Sequence, residues 1–197
     1  MRICFFGDSF VNGTGDDEAL GWVGLVIAAR RKAGHDVTSY NLGIRRDTSA
    51  DIARRWQGEA LLRLPPDQPG RLVFSFGVND CIIEETATSP RVAPTESLRL
   101  AREILAAANA RWPTMMIGPP PIADPDTNRR IGVMDRQLQS ACEGLEIPYL
   151  GIFDRLRADP VWMHEVAAGD GAHPNLGGYQ RLAALVESFP AWRAWFA

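Results

Sequence analysis

The sequence predicts an α/β protein, a three-layer α/β/α sandwich around a central, mainly parallel five-stranded sheet. Three observations lead there. Short apolar runs alternate with longer stretches of helical period along the whole chain, the order in which parallel strands and their covering helices are laid down. Each run ends near Gly, Asn, Asp or Pro, as strands buried on both faces do when the chain leaves the sheet. No repeat, low-complexity tract or linker divides the 197 residues, so 1–197 is expected to be one domain. With 46% hydrophobic and 23% charged residues, the composition is that of a globular chain and excludes a disordered or fibrous one.

The five strands are expected at Ile3 to Phe6, Val37 to Leu42, Leu72 to Phe76, Met115 to Ile117 and Pro148 to Leu150. A first helix starts with Trp22, Leu25 and Ala29 and ends at Gly34, because glycine accepts the positive φ of a helix C-terminus. A second opens on Thr48-Ser49-Ala50-Asp51, a candidate capping box, and carries Ile52, Trp56, Ala60 and Leu64 on one face. Leu98, Ala101, Leu105, Ala108 and Trp112 mark a third, stopped by Pro113. A fourth is expected over Arg129 to Glu143, with Ile131, Met134, Leu138 and Cys142 inward, and a last one follows Pro174-Asn175 with Tyr179, Leu182, Val186 and Phe189. Trp192, Trp195 and Phe196 form an aromatic tail expected to dock on the body.

Charge excludes one class of partner. Lys plus Arg number 21 against 24 Asp plus Glu, a formal charge of −3 with no block of like charges, so no footprint for nucleic acid is present. Cys4, Cys81 and Cys142 are too far apart for a C-x-x-C pair or zinc knuckle. An odd number of cysteines suits a reducing compartment. Only four apolar residues, Ile3 to Phe6, follow Met1-Arg2 before Gly7-Asp8, too few for a signal-peptide core, and no run reaches the ~18 of a membrane span. The chain is expected to be soluble and cytoplasmic; its oligomeric state is not legible.

In open parallel sheets chemistry gathers where loops leave the carboxyl ends of the strands. Those loops read Gly7-Asp8-Ser9-Phe10, Asn41-Leu42-Gly43 and Gly77-Val78-Asn79-Asp80, and a fourth segment, Asp170-Gly171-Ala172-His173-Pro174, lies near the C-terminus. Taken singly, each is an ordinary turn: G-D-S is a strand-to-helix corner with a capping serine, and Asp-Gly is a common turn pair. Together they supply a hydroxyl nucleophile, an imidazole base, a carboxylate to hold it and donors for an oxyanion.

These four segments, in this order, resemble the blocks of the GDSL-type lipases and esterases, the SGNH hydrolases, over Gly7 to Tyr179. The resemblance implies the SGNH-hydrolase, flavodoxin-like version of the sandwich. It also implies a serine ester hydrolase acting on small or short-chain acyl esters with no cofactor. Ser9 matches the nucleophile, and the Ser9 N–H, Gly43 N–H and Asn79 amide match the oxyanion hole. Asp170 and His173 match the D-x-x-H pair. Phe10 departs from the leucine of the family motif and is expected to lie outside the chemistry. An acyltransferase, an acetyl-sugar or thioester hydrolase using the same site, and a non-catalytic binding module on the same fold are the alternatives.

Other motifs fail. Val11 stands where a nucleophile elbow G-x-S-x-G needs its last glycine. Gly7 to Gly13 has the wrong spacing for a phosphate loop, and His164-Glu165 is not followed by the second histidine of H-E-x-x-H, so no metal is implied. His35, at a helix end, is expected on the opposite side of the sheet, and His164 has no evident orienting partner. Asp8, Arg45, Arg46 and Trp162 are candidate substrate contacts, with Trp22 and the Pro119–Pro121 turn as further pocket walls. Glu84 to Ala93, polar and broken by proline, is the candidate flap.

Overall fold

The computed structural model describes residues 1–197. Its strands are β1 (Arg2–Gly7), β2 (Thr38–Gly43), β3 (Gly70–Ser75), β4 (Thr114–Ile117) and β5 (Tyr149–Leu150). They form one sheet in the order β2-β1-β3-β4-β5, and every neighbouring pair is parallel. Each expected strand is present within two residues of its expected ends. β1 lies between β2 and β3, so the chain reverses its direction of travel across the sheet there, and ligand crevices open at such a point. The register aligns Gly7 with Gly43 on one side and Ser75 on the other, bringing three loops out at one height.

The helices are α1 (Ser9–Asn12), α2 (Gly21–Lys32), α3 (Ser49–Arg63), α4 (Pro94–Asn109), α5 (Pro125–Gly144), α6 (Phe153–Arg157), α7 (Pro160–Ala168), α8 (Leu176–Ser188) and α9 (Pro190–Ala194). Right-handed crossovers put α3, α4 and α5 side by side over one face. α2 packs on α8 over the other, with α7 and α9 against α8. α3 starts as its sequence says: the Thr48 N–H donates to the Asp51 carboxylate at 2.9 Å while the Thr48 hydroxyl accepts from the Asp51 N–H, a closed capping box. At the end of α2 the Gly34 N–H reaches Arg31 O and the His35 N–H reaches Arg30 O, with Gly34 at φ +89°. This is the Schellman turn that only a left-handed residue closes cheaply.

Short helices α1, α6, α7 and α9 were not expected, and three of the expected helices differ in detail. α2 buries Trp22, Val23, Val26 and Ile27, leaving Leu25 and Ala29 half-exposed. α4 ends at Asn109, so Trp112 lies beyond it, and Ser97 with Ile104 completes its inner face. α5 starts four residues early, because Asp124 caps it through the Thr127 N–H at 2.7 Å and Pro125 takes the first helical position. The docked tail is as expected: Trp192 is fully buried against Phe5, with Trp195 and Phe196 around it. No helix is long and apolar enough to cross a membrane, and Cys4, Cys81 and Cys142 are buried and unpaired.

Candidate active site

Ser9 opens α1 directly after β1. Its cap is Asp8, whose Oδ1 accepts the Phe10 N–H at 3.0 Å, so the serine expected to cap this turn is left free to use its hydroxyl. His173 enters from the α7–α8 connection, and its Nε2 lies 2.7 Å from Ser9 Oγ. Asp170, three residues earlier, accepts the His173 and Ala172 N–H groups on Oδ1 at 2.8 and 3.0 Å and faces His173 Nδ1 with Oδ2 at 2.7 Å. Burial opposes the charge on Asp170, but these donors outweigh it and hold the carboxyl down to about 2. An ionised Asp170 can only accept. Nδ1 therefore carries the imidazole proton, which makes Nε2 the acceptor for the Ser9 O–H.

Asn79 sits in a single 3₁₀ turn, Asn79–Cys81, after β3. Its Nδ2 donates to Asp47 O at 3.0 Å and points at Asp8 Oδ2 at 3.3 Å. Gly43 closes β2, and its N–H donates to Asn41 Oδ1 at 3.1 Å. The glycine there answers a need different from substrate access: a Cβ would stand 2.2 Å from Asn12 N and 2.7 Å from Asp8 O. Helix α1 rests on the bare backbone of β2.

Four expected substrate contacts fare differently. Asp8 is buried, 1% exposed, and is not among the residues lining the cleft beside His173; burial, reinforced by Asp80 and Asp47 and opposed by the Phe10 N–H, pushes its carboxyl up to about 7. Trp162 is also fully buried, its Nε1 bound to Pro121 O at 3.0 Å and its ring stacked on Phe10. A side chain with that much apolar surface was spent on the core, as were Trp22 and the Pro119–Pro121 turn. Arg46, at φ +68°, reaches away to Glu84 at 2.6 Å, and Glu84 also faces Arg91, so an ion cluster ties the start of the 84–93 segment. Arg45 alone lines the cavity beside the histidine, a cleft of about 770 Å³ that it shares with Asp170, His173, His164, Glu165 and Asn175. His35 packs on Phe196, remote from this cleft.

Three supporting residues escaped the sequence reading. Arg55 on α3 donates to Gly7 O and Leu42 O at 3.1 and 2.9 Å and pairs with Asp47 at 2.7 Å, clamping the ends of β1 and β2 to the loop that holds Asn79. Asn41 donates to Val11 O at 2.8 Å. Phe10, expected outside the chemistry, lies against the His173 ring with centroids 4.8 Å apart. Spacing carries no sign of these contacts. No group of three or more His, Cys, Asp or Glu side chains is arranged to hold a metal ion.

A parallel α/β/α sandwich with a serine, an imidazole and a carboxylate hydrogen-bonded in series at its strand ends has the architecture of an ester-bond hydrolase. The chain belongs to the GDSL-like lipase/acylhydrolase family, whose profile matches residues 5–181. The solved structures it resembles include a lipase/acylhydrolase from Enterococcus faecalis, 24% identical with 98% of this chain and 96% of that one covered at a TM-score of 0.78. An α/β hydrolase from the metagenome of Lake Arreo is 20% identical, covering 97% and 95% at 0.74. An acetylxylan esterase from Geobacillus stearothermophilus is 18% identical, covering 93% and 91% at 0.73. No curated protein matches.

Proposed function

We propose that this protein is a serine ester hydrolase that cleaves small or short-chain acyl esters through an acyl-enzyme on Ser9. The observation that carries the proposal is the unbroken series Ser9 Oγ, His173 Nε2 and Nδ1, Asp170 Oδ2, with both links at 2.7 Å. A serine hydroxyl attacks only if a base within ~2.6–3.2 Å takes its proton as the bond forms. In this reading Ser9 Oγ adds to the ester carbonyl carbon while its proton passes to His173 Nε2. The imidazolium, held by Asp170, then gives that proton to the leaving alcohol oxygen as the carbon–oxygen bond breaks. Water repeats the sequence on the acyl-serine, releasing the carboxylic acid and restoring Ser9.

The oxyanion would be met by the Ser9 N–H, which has no intrahelical acceptor at the first position of α1, and by Gly43 N–H and the Asn79 amide. Gly43 must exchange Asn41 Oδ1 for the substrate oxygen, and Asn79 one of its two acceptors. Such tightening onto substrate is ordinary for catalytic groups. Two structures of the Geobacillus acetylxylan esterase are described as catalytic mutants of it, one with a serine and one with a histidine replaced by alanine, which agrees with these roles.

The polar cleft favours one refinement. Arg45, His164, Glu165 and Asn175 surround the space beside His173, and polar walls suit a hydroxylated alcohol half, such as an acetylated sugar, better than a long acyl chain. The three buried thiols suit work in the reducing cytoplasm. The test is hydrolysis of p-nitrophenyl esters from acetate to palmitate beside acetylated sugars, with Ser9→Ala in parallel. The reading expects activity on short acyl groups that vanishes in the variant. Equal rates for the two proteins would overturn it, and acyl transfer to an added alcohol in preference to water would make the protein an acyltransferase.

A further inference from the structure

We propose that Phe10 is a positioning residue for His173: its ring packs at a tilt against the imidazole, fixes the ring between Ser9 and Asp170, and favours the imidazolium that forms during proton transfer. The proposal rests on the hydrolase reading above.

The geometry is a column of four rings. His173 and Phe10 have centroids 4.8 Å apart with planes at 39°. Behind Phe10 lies Trp162, 6.3 Å away and nearly parallel at 22°, and behind that Tyr179, edge-on at 6.1 Å. Each rear ring is fixed at its polar end: Trp162 Nε1 donates to Pro121 O at 3.0 Å, and the Tyr179 hydroxyl donates to Thr14 O at 2.7 Å. Phe10, Trp162 and Tyr179 are all buried. Phe10 therefore cannot swing away from the imidazole without disturbing α7, α8 and the chain after α1.

Two physical effects follow. The first is steric: a histidine on an irregular connection is held in one rotamer by a wall of packed rings, so the links to Ser9 and Asp170 need no reordering when substrate arrives. The second is electrostatic. A cation within ~6 Å of an aromatic centroid is attracted to the negative face of the ring, and the imidazole acquires positive charge only when it has taken the Ser9 proton. The ring thus favours the charged form over the resting one. A leucine here would supply the wall without the quadrupole.

The charged and titratable groups around His173 are Asp170 on its own connection, Arg45 from the β2–α3 loop, and His164 and Glu165 from α7, all lining the shared cleft. Glu165 is already engaged by the Gly178 N–H at 2.7 Å. None of them contacts Phe10 through a hydrogen bond, so changing that ring leaves their charges in place.

The experiment compares the wild type, Phe10→Leu and a chain with 3,4,5-trifluorophenylalanine at position 10. The fluorinated ring keeps the wall while weakening the quadrupole, and it serves if the leucine variant folds poorly. Two readouts are taken. In the pH profile of p-nitrophenyl acetate hydrolysis, kcat should fall about threefold to tenfold with KM within about twofold. The acid limb should move down by several tenths of a pH unit in both variants. In NMR titrations in the Ser9→Ala background, the His173 imidazole signal should shift its midpoint the same way with no turnover involved. Variants that fold like the wild type and superpose on it in both readouts overturn the role of Phe10. If Ser9→Ala hydrolyses esters normally while the NMR midpoint still moves, the hydrolase reading has failed and the contact has not.

Discussion

Replacing Asp170 by Asn tests the logic of the site in a single atom. Asp170 Oδ1 accepts two backbone N–H groups, from Ala172 at 3.0 Å and His173 at 2.8 Å, while Oδ2 faces Nδ1 of the imidazole at 2.7 Å. An asparagine can keep both backbone bonds only by placing its oxygen on the Oδ1 side, which turns its NH₂ toward Nδ1. Two donors cannot meet, so the imidazole must give up the Nδ1 proton and carry it on Nε2, directly opposite Ser9 Oγ. The serine then has no acceptor for its proton. The same exchange in a serine protease triad costs about 10⁴ in kcat, and here a loss of about 10³ to 10⁴ is expected, equivalent to roughly 4–5.5 kcal/mol of barrier. The backbone bonds survive and solvent screens a side chain that is 52% exposed, so only part of the stabilisation that lowers the Asp170 carboxyl is lost, and the melting temperature should fall by no more than about 5 °C. The assay is p-nitrophenyl acetate hydrolysis with a melt of the same sample. A folded variant within about tenfold of the wild-type kcat would show that Asp170 does not set the tautomer of His173.

Further outcomes follow from the buried residues. Burial holds the Asp8 carboxyl up at about 7, above the ~3.9 of an unfolded chain, so the folded chain keeps a proton that the unfolded one loses. Stability should fall as pH rises between those values, by on the order of 4 kcal/mol at most. Asp8→Asn should flatten the melting temperature against pH from about 4 to about 8, and an unchanged slope would remove Asp8 as its source. Trp162→Ala empties a fully buried site and should cost about 3–5 kcal/mol in urea unfolding; a loss under about 1 kcal/mol would place the ring at the surface. Gly43→Ala puts a methyl 2.2 Å from Asn12 N and should lower both melting temperature and activity, whereas a neutral result would mean that α1 does not rest on β2.

The sheet was legible because strands buried on both faces write themselves as apolar runs, and Ile3 to Phe6 and Leu72 to Phe76 could be little else. The catalytic candidates were legible for another reason: Ser9, Gly43 and Asn79 sit at or just past the ends of β1, β2 and β3, Asp170 and His173 stand three apart on the α7–α8 connection, and the segments come in a recognisable order. Helices α7 and α9 were not placed from the sequence; they open on Pro160 and Pro190, which occupy first helical turns, where a missing N–H costs nothing. Asp159-Pro160 carried that signal, since the aspartate caps the Val161 N–H. Substrate contacts were the least legible. Residue type cannot say whether an aspartate or tryptophan beside a catalytic loop faces inward, and Asp8 and Trp162 both do. Nor could spacing reveal Arg55, whose four hydrogen bonds join residues from three separate segments.

The most direct test is to trap the nucleophile. The protein is treated with a p-nitrophenyl phosphonate ester and its peptides are mapped by mass spectrometry, with activity followed in the same sample. The account predicts one phosphonyl group per chain, on Ser9, appearing in step with the loss of esterase activity and absent from His173→Ala over the same time. An adduct on another residue, or ester hydrolysis that survives complete modification of Ser9, would contradict it.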